Sequence, residues 1–262
     1  MKKLLTGAKF LFSVYGFLLF ILTMLVLFPF VFAASFFGKV TGGNIIYKFC
    51  QGWASCNMTL WGIRHRNIYE VPHNSSKQYV FVFNHISYMD IPVIMRSMQG
   101  QHFRILGKAE MARVPIFGFF YRNAVVMVDR SSADKRAASV QKLKAVIRKG
   151  ISVIIAPEGT FNTTGNPLKE FYDGAFRIAI ETQTPIKPVL FLDTHDRLNH
   201  NSIFSLTPGK SRAVFLEEIS VHEYTLKDVK LLKEKVYAIM EQKLLSYRAS
   251  WISSFSTSNI GE

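Results

Sequence analysis

From Phe10 to Gly38 the chain carries 29 consecutive uncharged residues, nine of them Phe, and this run restricts the fold more than any other feature. A helix needs roughly 20 apolar residues to cross a bilayer, so the run can cross once but is too short for two full crossings. Pro29 divides it into a longer and a shorter part, and a proline inside a helix ends or kinks it. Two arrangements follow: a single tilted span, or a helical hairpin that dips into one leaflet and returns. A cleaved secretory signal also begins with basic residues, and Ala33-Ala34-Ser35 resembles a cleavage site. Its apolar core would be far shorter than this run, so membrane anchoring is the better reading.

Charge is distributed to match. No Asp or Glu precedes Glu70, whereas seven Lys/Arg do, among them Lys2, Lys3 and Lys9 before the run and Lys39 and Lys48 after it. Half of the formal net charge of +14 therefore lies in the first quarter of the chain. Such an excess calls for a polyanionic partner, either nucleic acid or an anionic membrane surface. With 49% hydrophobic residues, a disordered chain is excluded. Cys50 and Cys56 have no companion ligands in sequence that would complete a metal site, and two reduced thiols are expected.

Beyond Pro72 the pattern becomes that of an α/β domain. Apolar and β-branched runs at Tyr79–Phe83, Phe103–Leu106, Ala124–Val128, Ser152–Ile155, Val189–Leu192 and Ala213–Leu216 read as strands. Helical periodicity marks Ala133–Lys149, stopped by Gly150, and then Gly174–Thr182 and Leu226–Tyr247. The aromatic stretch Val40–Asn67, with Trp53 and Trp61, reads as helical, and its tryptophans suit a membrane interface or a core equally well. The alternation predicts one α/β domain with a central, mostly parallel or mixed sheet flanked by helices, preceded by a membrane-embedded helical segment. The expected division is a membrane-anchoring segment at 1–70, the α/β domain at 71–250 and a Ser-rich disordered tail at 251–262.

Two spots carry chemistry. Asn84-His85-Ile86-Ser87-Tyr88-Met89-Asp90 follows the first strand of the domain, where open α/β sheets place their ligands. A neutral imidazole there can take a proton from a hydroxyl, and a carboxylate on its other nitrogen fixes the tautomer and stabilises the imidazolium. Asp90 can fold back to serve as that carboxylate, or it can simply cap a helix. Ala156-Pro157-Glu158-Gly159-Thr160 follows another strand, and Gly159 permits a tight turn and close approach to a ligand. Between them lie Lys108 at a strand end, Glu110, Pro115, Gly118 and the pair Asp129-Arg130.

In this order the four blocks Asn84–Asp90, Gly107–Arg130, Pro157–Thr160 and Pro185–Val189 resemble the glycerolipid acyltransferase family that contains 1-acyl-sn-glycerol-3-phosphate acyltransferases. The resemblance covers about residues 75 to 195. It implies transfer of a fatty acyl group from acyl-CoA or acyl-carrier protein, as co-substrate, to the free hydroxyl of a lysophospholipid, with no further cofactor and no metal. By the same resemblance His85 is the general base and Asp90 its orienting partner. The hydroxyl attacks the thioester directly, and Lys108, Arg130, Glu158, Gly159 and Thr160 surround the acceptor head group. The chain has no Gly-x-Ser-x-Gly elbow that would suggest an acyl-enzyme.

One position departs from the family pattern. An Arg that is thought to bind the acceptor phosphate usually follows Glu-Gly-Thr, and here Phe161 does. An aromatic ring cannot replace a bidentate guanidinium–phosphate contact. Either Lys108, Lys169, Arg177 or Arg130 supplies the charge, or the acceptor is not a phosphate monoester but another lysolipid, such as an amino-acid lipid. A non-catalytic lipid carrier would need no His85–Asp90 pair, and a nucleic-acid binder would leave the uncharged run unexplained. Acyl thioesters are cytoplasmic, so the domain is expected to face the cytoplasm at the inner membrane. Basic flanks on both sides of the run favour the re-entrant hairpin.

Overall fold

The computed structural model describes residues 2–128 and 133–252. In chain order the elements are α1 (Lys2–Ser35), α2 (Gly43–Leu60), β1 (Ile63–Tyr69), β2 (Val80–Phe83), α3 (Asp90–Ser97), β3 (Phe103–Lys108), α4 (Phe117–Ala124) and β4 (Val125–Val128). They continue with α5 (Ala133–Ile147), β5 (Ser152–Ile155), α6 (Gly174–Thr182), β6 (Ile186–Phe191), the single turn α7 (Thr194–Arg197), β7 (Gly209–Phe215) and α8 (Val229–Ser246). The seven strands form one sheet in the order β1-β7-β6-β2-β5-β3-β4, parallel throughout except for the β6–β7 pair. The mostly parallel sheet flanked by helices agrees with the sequence reading.

Alternation along the strands supplies two cores. Phe81, Phe83, Phe103, Ile105, Ile154, Val189 and Phe191 face α1, α2, α3 and α4. Their neighbours Val80, Val82, Val153, Ile155, Ile186 and Leu190 face α5, α6 and α8. Both faces of a parallel sheet are covered, as its continuous apolar strands require.

Helix α1 runs unbroken through Pro29, so the proline does not divide the apolar run. The chain turns back after Ser35 through the π-helical turn Gly38–Gly42, and α2 returns antiparallel to α1. The hairpin thus pairs the apolar run with the aromatic stretch after it, instead of folding the run on itself. Polar contacts lock the two helices where their apolar faces meet. Thr23 Oγ1 accepts from Asn57 Nδ2 at 3.0 Å and from Trp53 Nε1 at 2.9 Å, and Trp61 Nε1 donates to the Gly16 carbonyl at 3.2 Å. The two tryptophans therefore serve the hairpin and the core.

The hairpin is fastened to the sheet. Tyr47 Oη donates to the Ala124 carbonyl at 2.7 Å and accepts from the Ile105 N–H at 3.0 Å. The buried Arg104 guanidinium donates to the carbonyls of Phe103, Lys39 and Val40, gripping the turn between the helices. Two expectations change here. The helix read over Val40–Asn67 ends at Leu60, and Gly62, at φ 65°, turns the chain into β1. β1 pairs with β7 over its whole length, so residues 63–69 belong to the sheet and not to the N-terminal helical segment. Asp129, Arg130 and nearly all of the Ser-rich tail lie outside the described residues.

Candidate active site

β2 ends at Phe83, and the next two residues fix the site's position. Asn84 clamps the chain to the end of β6: its Oδ1 accepts from the Phe191 N–H at 2.8 Å and its Nδ2 donates to the Phe191 carbonyl at 3.0 Å. His85 then leaves the sheet at the carboxyl ends of the parallel strands, as expected for a ligand site of this architecture. The loop Ile86–Met89 leads directly into α3, whose first residue is Asp90.

Asp90 is fully buried, and one of its oxygens does all the bonding. Oδ2 accepts from His85 Nδ1 at 2.7 Å, from the Ile86 N–H at 2.9 Å and from the Ser87 N–H at 3.0 Å, whereas Oδ1 has no partner. Nδ1 therefore carries the hydrogen in neutral His85, and Nε2 presents its lone pair. Nε2 makes no hydrogen bond among the described residues, and the His85 side chain is 22% exposed. The ring is held between Phe83, at 5.6 Å, and Phe161, at 4.4 Å between centroids.

The second motif closes on the first. Glu158, on the turn after β5, is buried, and its two oxygens accept different backbone groups: Oε1 from the His85 N–H at 2.8 Å, Oε2 from the Lys169 N–H at 2.9 Å. Burial pushes its carboxyl up to about 7, while the two backbone bonds act in the opposite direction. The turn depends on Gly159 at φ 71°, where a side chain would be strained. Three residues on, the Asn162 N–H donates to the His85 carbonyl at 2.6 Å, so both backbone groups of His85 are bound to this loop. Lys169 Nζ donates to Thr160 Oγ1 at 2.8 Å.

The structure thus brings His85, Asp90, Glu158, Gly159 and Thr160 together. Lys108 ends β3, and with β5 between β2 and β3 its backbone stands about 10 Å to the side of the first motif, its side chain exposed. Arg177 is exposed on α6, whereas Lys169 reaches the second motif directly through Thr160. Sequence reasoning noted Phe161 only as a missing Arg. In the fold it is the wall of the site, meeting His85, Tyr88 at 5.0 Å and His200 at 6.2 Å. Asn84 and Asn162 were also missed as positioning residues. Asn84 carried a sign of its role, since it stands in the motif directly before His85.

This geometry can accept a proton at Nε2 and hold the resulting imidazolium against a buried carboxylate. The N–H groups of Thr160 and Phe161 carry no hydrogen bond among the described residues and remain available as donors.

Known proteins resemble this chain in fold and sequence. The fold is that of a crystal structure of the 1-acyl-sn-glycerophosphate (LPA) acyltransferase PlsC from Thermotoga maritima, with a TM-score of 0.75, 19% identity, and 96% of this chain and 99% of that one covered. A 1-acyl-sn-glycerol-3-phosphate acyltransferase of Cocos nucifera is 28% identical over 218 residues, 82% of this chain and 67% of the relative. One from Haemophilus influenzae is 29% identical over 63% of this chain and 68% of its own length. The Acyltransferase family model matches residues 62–192, which begins just before β1 and takes in both motifs. The chain belongs to the acyltransferase family.

Proposed function

We propose that the protein is a membrane-associated 1-acylglycerol-3-phosphate O-acyltransferase, transferring a fatty acyl group from acyl-CoA or acyl-carrier protein to the free hydroxyl of lysophosphatidic acid and giving phosphatidic acid. The observation that carries this reading is His85, with Nδ1 bound to buried Asp90 and Nε2 open. Nε2 takes the proton of the acceptor hydroxyl as its oxygen attacks the thioester carbonyl. The oxyanion is met by backbone donors, for which the N–H groups of Thr160 and Phe161 are candidates. Collapse of the tetrahedral intermediate expels the carrier thiolate, and the imidazolium returns the proton to it. No acyl-enzyme is needed.

Attachment to the membrane rests on α1, whose apolar stretch Gly7–Ser35 is long enough to cross a bilayer. Because α1 is packed against α2, and α2 and the turn between them are fastened to the sheet, a re-entrant or surface-lying hairpin with the domain on the cytoplasmic side fits better than a lone span. Phe161 favours a second acceptor. Its ring occupies the wall beside His85, so a lysolipid without a phosphate monoester, such as an amino-acid lipid, is the alternative substrate.

Purified full-length protein in detergent, given radiolabelled acyl-CoA and a panel of lysolipids, tests the reading. Acylation of lysophosphatidic acid is expected, with His85→Ala lowering it by about 10²- to 10⁴-fold. Turnover that survives His85→Ala refutes the mechanism.

A further inference from the structure

Two segments at the carboxyl ends of the strands hold large apolar side chains out of the body. After β3, Met111, Val114 and Ile116 are each more than 40% exposed, and in the loop after α7 so are Ile203 and Phe204. The strand order puts one segment on each side of His85: the chain leaving β6 lies beside β2, and the chain leaving β3 lies beyond β5 on the other side. Both join α1. The Phe204 ring is 5.1 Å from Phe10, and the Leu206 N–H donates to Ser13 Oγ at 3.1 Å. At the other end Phe119, at the start of α4, lies 5.3 Å from Phe28 and 5.8 Å from Phe32. Phe10 and Phe28 are about 27 Å apart along a helix, so α1 reaches from one segment to the other.

Ile116 is held outward at a cost. It sits at φ 61° and ψ −61°, in a γ-turn closed by the Phe117 N–H on the Pro115 carbonyl at 2.6 Å. A β-branched residue rarely adopts positive φ, and this turn is strained. The turn is braced by Gly118, where a Cβ would stand 2.3 Å from the Ala112 carbonyl oxygen. Around this segment, among the described residues, Lys108, Arg113 and Arg122 are exposed against the single acid Glu110.

We propose that Met111–Ile116 and Ile203–Phe204 are two further membrane contacts which, with α1, frame the mouth of the His85 site and seat it on one leaflet of an anionic phospholipid bilayer. The occupant follows from continuity with the exposed apolar face of α1 and from the cations beside the first segment. The inference rests on the membrane reading of α1 given above. It means that the lysolipid reaches Nε2 sideways from the leaflet and not from water.

The test uses the full chain and two double variants, Val114→Glu/Ile116→Glu and Ile203→Glu/Phe204→Glu. Turnover is measured on long-chain lysophosphatidic acid in phosphatidylglycerol–phosphatidylethanolamine vesicles and on a short-chain acceptor dissolved as monomers. Each variant is expected to lose about tenfold or more on vesicles while staying near wild type on the soluble acceptor. Equal loss on both acceptors, or no loss on vesicles, overturns the proposal. A wild-type chain that fails to sediment with vesicles instead removes the membrane reading of α1, and the proposal falls with it.

Discussion

Asp90→Asn separates charge from geometry unusually cleanly here. All three hydrogen bonds of the carboxylate converge on Oδ2, and Oδ1 is bare. An asparagine can put its carbonyl oxygen where Oδ2 was and its NH2 where Oδ1 was. The Ile86 and Ser87 N–H groups enforce this orientation, because an NH2 facing two backbone donors would be repelled. His85 Nδ1–H then still has its acceptor, and the tautomer is preserved. What is lost is the negative charge 2.7 Å from the ring when the imidazolium forms. A pair of unit charges about 4 Å apart is worth about 4 kcal/mol at an effective dielectric constant of 20, of which the amide dipole restores part. A loss of about 2–3 kcal/mol in transition-state stabilisation lowers kcat/KM by about 30- to 200-fold. That is well below the roughly 10⁴-fold loss seen where an amide imposes the wrong tautomer. Thermal unfolding should move little, whereas Asp90→Ala strands two buried N–H groups and costs about 2–5 kcal/mol of stability. Steady-state kinetics in detergent with lysophosphatidic acid, run beside thermal melts, decide the matter. A 10⁴-fold loss at unchanged melting temperature, or activity within twofold of wild type, refutes the reasoning.

Three further outcomes are expected. Glu158→Gln leaves one of two backbone donors without an acceptor and destabilises the protein by about 1–3 kcal/mol in urea unfolding; an unchanged midpoint counts against the pairing of Oε1 with His85 and Oε2 with Lys169. Because burial raises the Glu158 carboxyl from 4.5 to about 7, the folded state holds a proton that the unfolded chain has released over that interval. Its contribution to stability is complete below pH 4.5 and declines through pH 7 by up to about 3 kcal/mol, and the Glu158→Gln variant should lack this component of the pH dependence. Phe161→Arg should raise the preference for lysophosphatidic acid over a phosphate-free lysolipid by about 10- to 100-fold in competition assays, and an unmoved ratio would show that this wall does not meet the head group.

The parts of the fold that could be read in advance are those whose burial is uniform. Val80–Phe83 and, within Ser152–Ile155, Val153–Ile155 are apolar without interruption because both faces of the sheet are covered, and both strands stand as expected. β1 was missed because Arg64, His65, Arg66 and Asn67 occupy an edge with one neighbour, where polar side chains are tolerated. α3 was foreseen only as a helix that Asp90 could cap; Pro92 falls in its first turn, where a missing N–H costs nothing. The hairpin was half legible. Its return helix depends on the Thr23–Asn57 and Arg104–Lys39 contacts, which no periodicity reveals. Within the site, the spacing of His85 and Asp90 needs only a short turn and could be read locally. The meeting of Phe161 with His85 depends on a loop returning from β5 and closing through the Asn162 N–H, which is tertiary information.

The shared first core bears on how the enzyme comes into being. Met24, Val31, Ile46, Tyr47 and Met58 of the hairpin lie in the same cluster as Phe81, Phe103 and Phe191 of the sheet. Removing α1 and α2 would uncover the part of that sheet face which α3 and α4 do not cover, so the α/β domain is incomplete without its hairpin. Cleavage between the hairpin and β1 would therefore break a shared core and not liberate a smaller enzyme. Nascent chains complete this core only when the hairpin, made first, meets the strands made after it.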